Sequence, residues 1–389
     1  MRLGILLRTL WAAVVLWLAA KTVSAGDWKI DSVDALGAPA KYTSLKVDNL
    51  GNVHVAYVLD DQNRYLLRYA LWDHSLKRWF AMTVDHNVGT CSLTLDSNQH
   101  PHISYTEFAG GRLKYGHWDG AQWKTEVLPI NAENISYYHS IALTPDGRPS
   151  ISFYEYEGAR DSGFRIRLRN VMWGGAIWEL RTVDSQPGSG KFNAMAADRQ
   201  GHLHLVYANV SAGTGSIRYA FWDGKSWKTE IIEGENAGDG HGVGWSCNIA
   251  LDSDANPHIT YMDEVAKLVK YAVRKNGKWK IEVIARVRGV AYPDRNSIAI
   301  DGRGVPFVGY FDAANGSLQV AHPEGQKWMI DTVDAENSGF TSSMQIDNDV
   351  IWISYGDGAN GGLKVARWQS NGAVPVGASA VIGHGESKK

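Results

Sequence analysis

The stretch "SLTLDSNQHPHISYTEFAGGRLKYGHWDGAQWKTEVL", residues 92–128, decides the fold because its pattern recurs along the chain. It contains four short β-branched or alternating runs, and turn residues such as "DSNQHP", "GG" and "DGAQ" separate them. Its opening run returns as "SLKVD", "SLTLD", "SIALT", "AMAAD", "NIALD", "SIAID" and "SMQID", starting at residues 44, 92, 140, 194, 248, 297 and 343. Four short strands in a period of about 40–50 residues are typical of a propeller blade. The sequence therefore predicts an all-β, seven-bladed β-propeller of four-stranded blades.

The two ends of the repeat predict how the ring closes. We label the strands of each blade A to D from the inside outwards. The last predicted C strand, residues 363–369, has no D strand after it, whereas "DWKIDSVD" (27–34) has no blade before it. That segment matches the D strand "KWMIDTVD" (327–334) at most positions. We therefore expect the N-terminal strand to complete the last blade, which would hide an otherwise unpaired strand edge.

Composition and the chain ends suggest an exported protein. The chain has 389 residues, 44% of them hydrophobic, and a net charge of −2, which argues against nucleic acid as a partner. Residues 1–25 have a basic start, an apolar centre and a small-residue cleavage pattern, as in a secretory signal peptide. We expect a propeller over 26–372, a flexible tail over 373–389, and no membrane-spanning segment. These features predict a secreted or periplasmic monomer.

The candidate site follows from the places where the seven copies differ. In propellers of this kind the D–A and B–C connections share one end of the ring, which we call the mouth. The residue before each A strand is Thr43, Cys91, His139, Asn193, Cys247, Asn296 or Ser342. Two positions earlier stand Lys41, Gly89, Tyr137, Lys191, Trp245, Asp294 and Phe340. Repeat regularity is lost at these positions, so we expect ligand contacts here.

His139 has two interpretations. It is the only histidine in the ring that precedes the A strands. An imidazole there can act as a ligand contact or general base, or it can be hydrogen-bonded within the neck of the propeller. In the functional interpretation the predicted catalytic residues are His139, Tyr138 and Arg295. The predicted ligand-binding residues are Lys41, Tyr42, Tyr137, Lys191, Phe192, Trp245, Asp294 and Phe340.

The remaining polar candidates indicate structure more than chemistry. A ring at the B-strand ends is mostly acidic or amide: Leu59, Glu107, Glu155, Asn209, Asp263, Asp312 and Asp357. We interpret it as a set of acceptors for loop N–H groups. Cys91 and Cys247 occupy the same slot in blades nearly opposite each other, too far apart for a disulfide, so free thiols are expected. No Ca²⁺-loop spacing occurs, and no metal or cofactor is predicted.

The phrase "PHISY…LKY…WDG..W" resembles the repeat of secreted bacterial seven-bladed β-propellers of the sialidase-like group, which includes some polysaccharide lyases. The resemblance covers essentially the whole mature chain. The Ser-x-Asp-x-Gly-x-Thr-Trp box of sialidases is not found. In propeller polysaccharide lyases a His/Tyr pair transfers protons and a basic residue faces the uronate carboxylate. The resemblance implies that His139, Tyr137 or Tyr138, and Arg295 or Lys191 could fill these roles.

Two classes of function are consistent with these observations. The first is recognition, and possibly cleavage, of a carbohydrate at the mouth, where aromatic side chains would stack on sugar faces. An enzyme of this kind would be a polysaccharide lyase or a glycoside hydrolase. The second is a non-catalytic scaffold that binds an envelope protein through the same surface. A contiguous pocket would favour the enzyme, and a flat rim would favour the scaffold.

Overall fold

The computed structural model describes residues 28–108, 111–130, 135–157, 165–211, 214–234, 243–287 and 296–369. All regular elements in these ranges are β-strands, arranged in seven antiparallel sheets of four strands each. Blade 1 contains β2 (Lys41–Val47), β3 (Val53–Asp61), β4 (Arg64–Asp73) and β5 (Arg78–His86). Blade 2 contains β6 (Val88–Leu95), β7 (Pro101–Glu107), β8 (Leu113–Trp118) and β9 (Trp123–Val127). Blade 3 contains β10 (Ile135–Leu143), β11 (Pro149–Glu157), β12 (Arg165–Trp173) and β13 (Trp178–Asp184).

The second half of the ring repeats the same arrangement. Blade 4 contains β14 (Ser189–Ala197), β15 (Leu203–Ser211), β16 (Thr214–Trp222) and β17 (Trp227–Glu233). Blade 5 contains β18 (Val243–Leu251), β19 (Pro257–Asp263), β20 (Leu268–Lys275) and β21 (Lys278–Arg286). Blade 6 contains β22 (Ser297–Ile300), β23 (Pro306–Asp312), β24 (Ser317–Glu324) and β25 (Lys327–Asp334). Blade 7 contains β26 (Ser342–Asp347), β27 (Val350–Gly356), β28 (Leu363–Gln369) and β1 (Lys29–Asp34).

The N-terminal strand closes the ring, which confirms the sequence prediction. β1 pairs antiparallel with β28 and forms the outer strand of blade 7, with Lys29 opposite Arg367 and Ile30 opposite Ala366. The seven inner strands contact one another in cyclic order, because β26 of blade 7 lies beside β2 of blade 1. The first and the last described strands therefore belong to one sheet. Among the described residues, no helix is long and apolar enough to cross a membrane.

The hydrophobic core is divided among the blade interfaces. Seven clusters of buried side chains are present, one between each pair of neighbouring blades. The cluster between blades 7 and 1, for example, joins Leu45 and Tyr57 to Trp352 and Val365. This follows from strand geometry, since alternate side chains point to the two faces of each sheet and each face meets another blade.

A tyrosine, an acid and a base link five of the seven blade interfaces. The tyrosine and the base belong to the B and C strands of one blade, and the acid ends the D strand of the preceding blade. The Tyr105 hydroxyl, for example, donates to Asp85 over 2.7 Å. The five sets are Tyr57–Asp34–Arg68, Tyr105–Asp85–Lys114, Tyr207–Asp184–Arg218, Tyr261–Glu233–Lys270 and Tyr355–Asp334–Lys364. Pro129 occupies the position of the acid at the interface between blades 2 and 3, and Ala285 occupies it at the interface between blades 5 and 6.

A second network explains the histidines that the repeat places on B strands. Four of them bond through Nδ1 to a tyrosine hydroxyl on the C strand, and their Nε2 atoms face the aspartate that ends the A strand. The sets are His54–Tyr69–Asp48, His102–Tyr115–Asp96, His204–Tyr219–Asp198 and His258–Tyr271–Asp252. These four side chains are buried and bonded within the protein, which indicates a structural role. Blades 6 and 7 lack both the histidine and the tyrosine. Phe307 and Val320 occupy these two positions in blade 6, and Trp352 and Val365 occupy them in blade 7.

Candidate functional site

The described part of the mouth is incomplete. The segments 109–110, 131–134, 158–164, 212–213, 235–242 and 288–295 connect D to A strands or B to C strands and fall outside the described residues. Predicted residues Asp294 and Arg295 are among them. Tyr137 lies in β10, but its side chain is outside the described part. The predicted residues whose side chains the structure describes are Lys41, Tyr42, Tyr138, His139, Lys191, Phe192, Trp245 and Phe340.

Five aromatic side chains form a continuous group across blades 3, 4 and 5, which we call the aromatic cluster. Its members are Tyr138, Tyr154, Tyr156, Phe192 and Trp245. The ring of Tyr138 stacks on Tyr154 with centroids 5.8 Å apart and approaches Phe192 to 4.4 Å. Phe192 in turn lies 5.0 Å from Trp245, and Tyr154 lies 5.2 Å from Tyr156. Three residues predicted from different blades are thus brought together.

The aromatic cluster combines fixed and accessible rings. Tyr154 and Phe192 are buried, whereas Tyr138, Tyr156 and Trp245 are half-buried and present part of their surface at the mouth. The buried rings hold the accessible ones in place, because aromatic pairs of this kind favour defined centroid separations. Partly exposed aromatic rings on a fixed base are suited to contact a ligand with an apolar face.

Backbone conformation at the start of β14 positions the cluster. Gly190 has φ of +118°, and a Cβ built there would lie 2.8 Å from the Cβ of Tyr154. Only glycine allows this close approach of blade 4 to blade 3. Phe192 has φ of 53°, in the left-handed region that non-glycine residues rarely adopt. Tyr42 and Ser246 have the same conformation at the equivalent positions of blades 1 and 5, so it belongs to the bulge at the start of the A strand. In blade 4 the bulge lets the Phe192 ring contact both Tyr138 and Trp245.

Charged groups flank the cluster. Lys191 is half-buried and directly precedes Phe192 in β14. On the blade 3 side, Arg169 Nη1 contacts Glu155 Oε2 at 2.9 Å, and both side chains are largely buried. This ion pair satisfies Glu155 within the protein. Lys191 is the cation of the predicted set that directly adjoins a member of the aromatic cluster in the chain.

His139 is packed in the neck of the propeller. Its side chain is fully buried. Nε2 lies 2.7 Å from the Thr90 hydroxyl and Nδ1 lies 2.9 Å from the Ser104 hydroxyl, both on blade 2. Both ring nitrogens therefore have partners, and no face of the imidazole is open to a ligand. This geometry argues against the predicted general-base role and agrees with the alternative of a hydrogen-bonded neck residue.

The other members of the His139 ring explain why a histidine can stand there. Several members of this ring form a hydrogen bond to the preceding blade. The Thr43 hydroxyl donates to Ser354 O, and Asn193 Nδ2 donates to Tyr138 O. The thiols of Cys91 and Cys247 contact the carbonyl oxygens of Tyr42 and Phe192. Both cysteines are buried and neither forms a disulfide, as predicted. The slot requires a polar side chain that reaches the neighbouring blade, and an imidazole meets that requirement.

We expect His139→Ala to cost stability and not ligand affinity. The substitution removes a buried partner of two hydroxyls, which corresponds to about 1–3 kcal/mol of unfolding free energy. Thermal unfolding and ligand affinity should be measured on the same variant. Full stability combined with a loss of binding or turnover would restore the catalytic assignment.

The remaining predicted residues lie elsewhere on the mouth. Lys41 is exposed at the start of β2, and Tyr42, with φ of 53°, packs half-buried against the core between blades 1 and 2. Phe340 is 41% exposed and lies 4.4 Å from Phe311 of blade 6. These residues belong to blades 1 and 7, so the structure divides the predicted ligand-binding set into two groups. The aromatic cluster in blades 3–5 is the larger group.

The acidic ring at the B-strand ends is occupied by local hydrogen bonds. Asp263 Oδ1 accepts from Ala266 N at 2.8 Å, and Asp357 Oδ1 accepts from Ala359 N and Asn360 N. Burial alone would raise the pKa of Asp357, but the hydrogen bonds around Asn360 and Ala359 hold that pKa below its usual range. These contacts agree with the structural interpretation.

Sequence reasoning missed Tyr154, Tyr156 and the Glu155–Arg169 pair. The available signal was the segment "ISFYEYE" (151–157), where Phe153 replaces the tyrosine found at this B-strand position in the other six blades. The acid at the preceding interface is also absent, so blade 3 lacks the usual interface link. Arg169, which occupies the position of the base, pairs instead with Glu155 of its own blade.

Comparison with known proteins supports the class of protein that the strands define, a seven-bladed β-propeller. No protein-family model matches the chain, and no curated protein matches it. Among solved structures, the polysaccharide lyase Uly1 is similar with a TM-score of 0.56 and 10% identity, covering 92% of this chain and 94% of that one.

Two further solved structures show the same likeness. The Hadza microbial sialidase Hz136 has a TM-score of 0.53 and 9% identity, over 83% of this chain and 74% of that chain. A mutant of AofleA from Arthrobotrys oligospora has a TM-score of 0.51 and 15% identity, over 79% and 90%. At these identities the likeness concerns the fold.

Proposed function

We propose that this protein recognises a carbohydrate at its mouth, with the aromatic cluster as the stacking surface. The observation that carries the proposal is the row of five aromatic rings across three blades, with Lys191 next to Phe192 in the chain. Aromatic faces bind the apolar face of a sugar ring, and neighbouring polar groups select its hydroxyl or carboxylate groups. Similar folds occur in a sialidase and a polysaccharide lyase, which supports the choice of ligand class.

Binding is proposed as the primary function, ahead of cleavage. Of the predicted catalytic residues, Tyr138 reaches the mouth, His139 is buried with both nitrogens bonded, and Arg295 lies outside the described residues. A lyase or hydrolase reaction would need a proton-transfer group at the substrate, and His139 is not accessible to one. A screen of polysaccharide substrates would measure turnover, through the ultraviolet absorbance of unsaturated products or the release of reducing ends.

We expect Trp245→Ala and Lys191→Ala each to weaken glycan binding by the folded protein by at least about tenfold. Trp245→Ala should also lower the unfolding temperature, because Trp245 packs against two core clusters, whereas Lys191→Ala should change it little. A tenfold loss corresponds to about 1.4 kcal/mol, which is within the range for truncation of a central aromatic or charged contact. Affinities would be measured by calorimetry with the glycan that binds best in an array of acidic and neutral polysaccharide fragments. Phe80→Ala is the matched control, since Phe80 is an aromatic residue on the outer strand β5 with 39% exposure.

Two results would contradict the carbohydrate proposal. One is the absence of binding to every glycan in the array. The other is binding that survives both mouth variants while Phe80→Ala reduces it. Recovery of a specific envelope protein that depends on Trp245 and Lys191, with no glycan bound, would establish the scaffold alternative in its place.

Export is proposed from the sequence alone. Residues 1–25 have the pattern of a cleaved leader. We propose that the mature protein begins at Gly26 in the periplasm or medium. Mass spectrometry of the protein expressed with its leader would show this N-terminus, and retention of residues 1–25 would refute cleavage.

A further inference from the structure

A groove of about 570 Å³ lies between blades 4 and 5. It is lined by A–B turn residues of both blades, such as Gln200 and Asn256, and by the C–D turn of blade 5 at Asn276. Antiparallel strand order places these turns at the end of the ring opposite the mouth. The volume is within the range of about 300–1,000 Å³ typical of small-molecule sites.

The groove coincides with a break in the repeat. In five blades the C strand carries a tryptophan beside the tryptophan of the D strand, with ring centroids 5.5–6.5 Å apart. These C-strand residues are Trp72, Trp118, Trp173, Trp222 and Trp368. Blade 5 has Arg274 in this slot, opposite Trp279. A guanidinium covers less area than an indole, so part of the space that a ring fills in other blades is open here.

The floor of the groove is aromatic and fixed. Tyr219 is buried, and its hydroxyl lies 2.7 Å from His204 Nδ1. Phe221, two residues further along β16, is half-buried and packs 5.2 Å from the rings of His202 and His204. Its accessible part offers an apolar surface inside a polar rim.

The rim presents directed hydrogen-bonding groups. Arg274 Nε lies 2.7 Å from Glu230 Oε1, and the same oxygen accepts from Trp279 Nε1 at 3.0 Å. Arg274 Nη2 also donates to Glu230 Oε2 at 3.3 Å, so Glu230 fixes the guanidinium, whose Nη1 group carries two further N–H donors. Gln200 and Asn276 add exposed amides, which both donate and accept.

The charges of the groove are largely matched within the protein. Arg274 pairs with Glu230, and Lys228 Nζ lies 2.9 Å from Asp223 Oδ2. Asp198 is buried and accepts from His202 Nδ1 at 2.8 Å. Asp254 adds an exposed carboxylate to the rim. An anionic ligand would therefore meet no unmatched cation and one carboxylate, whereas a neutral ligand with hydroxyl groups can use the carboxylate and the amides as hydrogen-bond partners.

We propose that this groove is a second binding site and that it takes a single neutral sugar residue. The apolar face of the sugar would rest on Phe221, and its hydroxyl groups would bond to Arg274 and Glu230. This site lies at the opposite end of the ring from the mouth and does not depend on the function proposed for the aromatic cluster.

Arg274→Trp tests the proposal, because it restores the residue that five other blades carry in this slot. The variant should fold and fill the groove. Binding would be measured by saturation-transfer NMR and calorimetry with the methyl glycosides of glucose, galactose, mannose, fucose and N-acetylglucosamine. We expect at least one of them to bind the unaltered protein and to lose at least about tenfold in affinity in the variant.

Two controls separate the groove from other sites. Pro323→Trp places the same ring in the equivalent slot of blade 6, and Trp245→Ala alters the mouth. Both should retain binding of the methyl glycoside. If Arg274→Trp fails to fold, Glu230→Gln together with Phe221→Leu replaces it. Absence of binding to all five probes, equal affinity in the groove variant, or loss of binding in Trp245→Ala would each overturn the proposal.

Discussion

Deletion of residues Trp28 to Asp34 is expected to abolish cooperative unfolding of the propeller. This segment supplies β1, so its removal leaves β28 without an outer partner and opens blade 7. It also removes contacts to blade 1: Asp34 accepts from the Tyr57 hydroxyl and from Arg68, and Asp31 accepts from Trp79 Nε1 at 3.2 Å. Breaking such a buried ion pair alone costs about 3–5 kcal/mol.

The measurement is thermal unfolding followed by circular dichroism. A truncated protein that lacks residues 373–389, the predicted tail, is the control for shortening the chain and should keep its unfolding temperature. Asp34→Ala should account for part of the loss, because the buried Arg68 guanidinium then lacks its carboxylate. An unchanged midpoint in the deletion variant would show that blade 7 is stable with three strands and that β1 does not close the ring.

The fold could be predicted in detail because every blade repeats the same physical solution. Tryptophans at fixed positions mark the outer strands, and the orphan segment at 27–34 could be assigned to the last blade by its similarity to 327–334. The structure shows which contacts the repeated residues make. Tyr105, Asp85 and Lys114 recur as a set because they meet at one blade interface, although they are far apart in sequence.

The site could be predicted only in part, because a departure from the repeat has more than one physical cause. His139 differs from its equivalents, yet it makes the same kind of inter-blade contact as Asn193 and Thr43. Trp245 also differs, and it belongs to the half-buried aromatic cluster. Sequence alone does not show whether a side chain points into the neck or to the mouth, since both positions are adjacent along one bulged strand.

Lowering the pH from 7 to 5 is expected to destabilise the propeller through its buried histidines. Burial lowers the pKa of His54, His204 and His258, and it lowers that of His102 to about 4. The unfolded chain binds protons at these groups near pH 6.5, whereas the folded chain does not. Stability from these histidines is therefore complete above pH 6.5 and falls as the pH decreases towards the folded pKa values.

For His102 alone, the pKa shift corresponds to a loss of about 2 kcal/mol between pH 7 and pH 5. Blade 6 provides the matched variant, because Phe307 and Val320 replace the histidine–tyrosine pair there. His102→Phe combined with Tyr115→Val should therefore reduce the difference in unfolding free energy between the two pH values by about that amount, whatever its effect at pH 7. Urea unfolding at both pH values provides the measurement, and His86→Gln, at an exposed position, is the control that should leave the difference unchanged.

An identical pH difference in the double variant would show that His102 is protonated as readily in the folded protein as in the unfolded chain. The Tyr115–His102–Asp96 network would then stabilise a charged imidazole, opposite to the effect that its burial between two blades requires.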